Sequence, residues 1–94
     1  MLNIVGDDIY RDNEIIGYIE SNYIRNHENT RVGYFDENYI YNEKGDRVAY
    51  IEGEYLYSED SRSSYTELDK INEAVVGGIL PAIGRCAVYV LLGG

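Results

Sequence analysis

The sequence predicts a mainly β protein: antiparallel hairpin repeats with a period of about sixteen residues around a pseudo-symmetry axis, one short C-terminal helix and a buried apolar C-terminal strand. Three observations support it. Residues recur in register, with Tyr23, Tyr39 and Tyr55 matched by Ile24, Ile40 and Leu56, and by Tyr18, Tyr34 and Tyr50. The segment Arg47 to Glu52 alternates in period two, setting Val48 and Tyr50 on one face and Ala49 and Ile51 on the other. Short polar turns separate these runs, and the C-terminal third changes to an apolar composition.

The hairpin units occupy residues 4–58 of a single domain spanning 1–94. Ile9-Tyr10 opens the first, turns through Arg11 to Glu14, and returns through Ile16-Gly17-Tyr18-Ile19. The second turns through Asn26 to Thr30. The third turns through Asn42-Glu43-Lys44-Gly45-Asp46, where Gly45 can take the positive φ of a bulged hairpin. A fourth begins at Tyr55-Leu56-Tyr57 and fades near Ser58. About seven strands are expected between Asp8 and Ser58, each antiparallel to its sequence neighbours. Both faces carry apolar or aromatic residues, which points to a sheet closed or folded on itself. Gly17, Gly33 and Ala49 mark either a crowded axis or floors under neighbouring tyrosines.

Residues 59–63 read as a polar linker and 64–80 as a helix. Ser64-Tyr65-Thr66-Glu67 matches a capping box, Leu68, Ile71 and Val75 form an apolar stripe, and Pro81 ends the helix. Residues 81–94 are an apolar segment whose run Cys86 to Leu92 reads as a strand or plug inside the structure.

The units Ile16-Gly17-Tyr18-Ile19, Val32-Gly33-Tyr34-Phe35 and Ile40-Tyr41-Asn42 through Val48-Ala49-Tyr50-Ile51 resemble the hairpin repeats of the bacterial β-flower proteins. The resemblance covers roughly residues 4–58. The Asp usual after Ile-Tyr is here Arg11, Asn26, Asn42 or Ser58, and only one turn keeps its Gly. The resemblance implies a radial β architecture and brings no catalytic residues with it.

The net charge of −9 argues against nucleic acid and against anionic lipid. No secretory signal is visible after Met1, so a cytoplasmic protein is expected. Residues 74–92 are about long enough to span a bilayer, but Pro81 and Arg85 make a buried core segment the better reading. The lone Cys86 excludes an internal disulfide, and its apolar setting makes it a poor partner for the lone His27, itself read as a solvated turn residue. The acidic residues, Glu43 and Asp46 among them, fall in turns at every period and show no calcium-loop spacing. The ending Leu91-Leu92-Gly93-Gly94 resembles that of ubiquitin-like modifiers, though the body lacks their pattern.

No cofactor, metal or catalytic set is expected. The expectation is a non-enzymatic structural or protein-interaction domain. A homo-oligomer is one arrangement that could cover the apolar tail. The alternative is a carbohydrate- or small-ligand-binding module built on the tyrosine row Tyr18, Tyr34 and Tyr50.

Overall fold

The computed structural model describes residues 1–93, and at 61–63 the backbone alone. Its order is β1 (Leu2–Val5), β2 (Asp8–Arg11), β3 (Glu14–Glu20), β4 (Tyr23–Asn26), β5 (Arg31–Asp36), β6 (Tyr39–Asn42), β7 (Arg47–Glu52), β8 (Tyr55–Ser58), β9 (Ser61–Glu67), α1 (Leu68–Ala74), β10 (Val75–Gly77) and α2 (Ala82–Leu92). The ten strands form one sheet in the order β10-β1-β2-β3-β4-β5-β6-β7-β8-β9. Strands β1 to β9 are a continuous antiparallel meander, and β10 joins β1 in parallel. The expected mainly β, antiparallel architecture is what the chain adopts, with β2 to β8 as the seven strands between Asp8 and Ser58.

Turn chemistry sets the meander. Asp12 and Asn13 both take positive φ in the two-residue β2–β3 turn, as a type I′ turn requires. Ser21, Glu37 and Gly53 hold positive φ at the first residue of the β3–β4, β5–β6 and β7–β8 turns. In the longer turns an Asn closes the loop. The Asn26 side-chain oxygen accepts from the Glu28 and Thr30 amides, and that of Asn42 from the Lys44 and Asp46 amides, at 2.9–3.0 Å. Asn therefore performs the Asx-turn role of an Asp, without adding to the negative charge.

The sheet cannot lie flat. Nine intervals of about 4.8 Å would separate its edges by about 43 Å, whereas the longest dimension of the molecule is 33 Å. The seven residues of α1 span only about 10 Å yet connect β9 to β10, the two edges. The sheet is therefore strongly curled. Its pairing shifts by one residue within β2–β3, β4–β5 and β6–β7, leaving Ile16, Val32 and Val48 as the extra residues of β-bulges. Bulges raise local twist, and here they recur on alternate hairpins.

The concave face holds the aliphatic core. Ile9, Ile24, Ile40, Ala49 and Leu56 are buried and surround α2, whose Cys86, Ala87 and Val88 are equally buried. The run Cys86 to Leu92 is thus a helix, not the expected strand. A segment enclosed by a curled sheet has no strand edge to pair with, and a helix satisfies its amides and carbonyls internally. Pro81 stands at the N-cap of α2 and opens this helix instead of ending another, and Gly93 closes it in the left-handed conformation.

The expected linker and helix boundaries also move. Glu59 and Asp60 form a turn, and 61–67 is strand β9, with Tyr65 opposite Tyr57 and Glu67 opposite Tyr55. Ser64 to Glu67 form no capping box, because pairing with β8 holds them extended. The helix of 64–80 is confined to Leu68–Ala74, and Val75–Gly77 pair with β1. Among the described residues no helix is long and apolar enough to cross a membrane.

Gly17 and Gly33 mark the close approach of helix and sheet. A methyl on Gly33 would lie 2.7 and 2.9 Å from the Leu91 methyls, and one on Gly17 2.8 Å from Leu92. Both would also run into a main-chain carbonyl, of Tyr41 and Arg25 respectively. The crowding at these glycines comes from α2 and the neighbouring strand and not from an axis, whereas Ala49 carries its methyl beside a cleft of about 330 Å³ between β7–β9 and Tyr89-Val90 of α2.

Candidate functional site

Strand periodicity places tyrosines on the convex face, since every inward Ile is flanked by outward residues. Cross-strand register then assembles them into rows. One row runs Glu20, Tyr23, Tyr34, Tyr41 and Arg47 across β3 to β7. A second runs Asp36, Tyr39, Tyr50, Tyr57 and Tyr65 across β5 to β9. Tyr55 stands beside the second row, between Glu52 and Glu67.

The rings contact one another. Tyr34 stacks on Tyr41 at 4.8 Å and 16°, and Tyr50 on Tyr57 at 5.4 Å and 20°. Tyr55 meets Tyr65 edge to face at 5.0 Å and 81°. Two arginines lie on the first tyrosines of the rows: Arg31 over Tyr23 at 4.0 Å and Arg47 over Tyr39 at 4.7 Å. Arg47 also pairs with Glu59 at 2.9 Å, and Arg25 with Glu20 at 2.6 Å. The hydrogen bond from Arg25 and its charge hold the Glu20 carboxyl below its ordinary range. Most of these rings are half-buried, and Tyr65 is 58% exposed.

The rings of Tyr18, Tyr34 and Tyr50, the row expected from sequence, do not contact one another. These residues lie on β3, β5 and β7, two strands apart, about 9–10 Å in the sheet. Ring pairs need about 4.5–7 Å, so Tyr34 pairs instead with Tyr23 and Tyr41, and Tyr50 with Tyr57. Tyr18 faces Arg25 and Asp8. Linear spacing finds equivalent residues, whereas contact partners come from the register of adjacent strands. Tyr57 and Tyr65, central to the larger cluster, come together through the β7–β8 and β8–β9 register and not through linear spacing.

His27 is exposed in the β4–β5 turn, while Cys86 is buried in α2 with its thiol pushed up to about 12 by desolvation. The acidic turn residues are mostly exposed, and among the described residues no group of three His, Cys, Asp or Glu could hold a metal ion. Leu91 and Leu92 end α2 against Gly33 and Gly17, and Arg11 donates to the Leu92 carbonyl at 3.1 Å and to that of Gly93. Leu91 to Gly93 of the segment that resembles a modifier tail are therefore packed and capped, and Gly94 lies outside the described residues. No family model, curated protein or solved structure matches the chain.

Proposed function

We propose that this chain is a non-enzymatic interaction domain whose working surface is the convex tyrosine face. The observation behind this reading is the second row: rings on four consecutive strands, β6 to β9, outside a core already filled by aliphatic residues and α2. Tyrosine offers large, stiff, amphipathic area and is enriched where proteins meet. The kinship with β-flower repeat proteins is proposed on the same footing, supported by the hairpin organisation.

A protein partner fits this face better than a sugar. Rings that stack on each other, as Tyr34 on Tyr41 and Tyr50 on Tyr57, spend a face internally and present edges and hydroxyls outward. A glycan platform needs a run of open ring faces, and of the rings in the two rows and beside them only Tyr55 and Tyr65 are exposed. The test is photo-crosslinking in the cells that make the chain, with a photoreactive residue in place of Tyr41 or Tyr57 and a control at exposed Val5. A discrete adduct from the tyrosine positions alone is the expected result. No adduct, or the same adduct from Val5, overturns the proposal.

A further inference from the structure

We propose that the partner presents arginine side chains from a basic, flexible polypeptide segment, and that these stack on the exposed rings of Tyr55 and Tyr65, beside the stacked pair Tyr50 and Tyr57. This rests on the reading of the tyrosine face as an interaction surface and names its partner.

The chain already demonstrates the mode of binding. Two of its own arginines on the convex face lie on tyrosine rings, Arg31 on Tyr23 and Arg47 on Tyr39, while Arg25 there pairs with Glu20. A planar, weakly hydrated guanidinium stacks on aromatic faces more readily than an ammonium does. The rings of β7 to β9 continue the row from Tyr39, and among the described residues no cation lies over Tyr50, Tyr55, Tyr57 or Tyr65. The edge-to-face contact of Tyr55 with Tyr65 leaves ring surface open, consistent with exposures of 36% and 58%.

Charge selects the partner. The chain carries −9, so a second copy would be repelled and a cationic segment drawn in. The arginines with described side chains are engaged: Arg11 on the end of α2, Arg25 and Arg31 on Glu20, Arg47 on Glu59, and Arg85 on the Val75 carbonyl. The carboxylates beside the cluster, Glu52 and Glu67 flanking Tyr55, are absent from those ion pairs and stand where incoming guanidinium groups would meet them.

The experiment uses the whole chain, isotope-labelled, titrated at physiological salt with a blocked peptide of alternating Arg and Gly and with its Lys counterpart. Ring and amide shifts on β7 to β9 are expected with the Arg peptide, and binding at least about tenfold weaker with Lys. Tyr57→Phe should retain the affinity and exposed Tyr65→Ser should reduce it several-fold, each variant keeping the parent amide spectrum elsewhere. Equal binding of the Lys peptide, shifts outside β7 to β9, or no binding overturns the proposal. A crosslinked adduct from Tyr57 alongside a silent peptide titration would sink this inference and leave the interaction reading standing; loss of both would sink both.

Discussion

Replacing Gly33 by Ala adds one methyl where two kinds of neighbour already stand. The Leu91 methyls, at 2.7 and 2.9 Å from the added carbon, belong to the last turn of α2 and can swing aside. The Tyr41 carbonyl cannot, because β6 is locked between β5 and β7. Overpacking a core by a methylene costs typically about 1–3 kcal/mol, and an immovable obstacle places Gly33→Ala toward the upper end. In a domain of this size each kcal/mol lowers Tm by about 4–8 °C, so a cost of about 2–3 kcal/mol lowers it by roughly 8–24 °C. Ala49 occupies the aligned position in β7, buried at 2% beside a cleft, so Ala49→Gly should also destabilise, by about 0.5–1 kcal/mol. The two aligned sites thus have opposite preferences. Urea unfolding of both variants checks this, together with the double variant Gly33→Ala/Leu91→Ala, which should not regain the parent midpoint. A Gly33→Ala protein within about 0.5 kcal/mol of the parent at unchanged m-value, or full rescue by Leu91→Ala, would refute the assignment to the main-chain carbonyl.

Asn42→Ala removes the acceptor for two turn amides and should cost about 1–2 kcal/mol in thermal unfolding, with Asn42→Asp close to neutral. Glu37 holds φ 54° in a two-residue turn, so Glu37→Gly should stabilise by roughly 0.5–1 kcal/mol, the relief of left-handed strain less the added chain entropy. Arg25 lowers the folded pKa of Glu20, so the pair supports folding above the carboxyl's ordinary pKa, and that support fades as pH falls through the folded value. Glu20→Gln should therefore be less stable than the parent at neutral pH and indistinguishable from it in acid, as read by chemical denaturation across pH. Buried Cys86, its thiol raised to about 12, should resist a thiol reagent near neutral pH until denaturant is added, and early labelling of folded protein would contradict its place in the core.

The β part of the fold was legible because each strand between Asp8 and Ser58 carries its own period-two signal and its own turn residues. The C-terminal third was not. Cys86 to Leu92 is apolar all round, and periodicity alone does not distinguish a buried strand from a buried helix in so short a run. What decides is whether a partner edge exists, a property of the assembled sheet. Ser64 to Glu67 failed in the opposite sense: the local capping signal was present, but pairing with β8 outweighed it. The bulges at Ile16, Val32 and Val48 have no residue signature, yet they set which tyrosines meet. The candidate face was legible as a count of tyrosines and hidden as a geometry.

Apolar or aromatic residues on both sides of a strand ordinarily imply two cores, and here one side is not a core at all. Ile9, Ile24, Ile40 and Leu56 close on α2, whose Cys86 to Val88 are buried and whose Val90 to Leu92 are partly so. The convex tyrosines are thus not required to shield the interior. Cross-strand pairs of this kind stabilise a sheet by about 0.2–1 kcal/mol each, a contribution that Val or Thr pairs can also supply. Tyr differs from those residues in its hydroxyl and in a half-exposed π face that accepts cations, and the arginines on Tyr23 and Tyr39 already use that face. Strand stability alone therefore does not explain the choice of tyrosine along β6 to β9, and the reason we propose is recognition of something outside the chain.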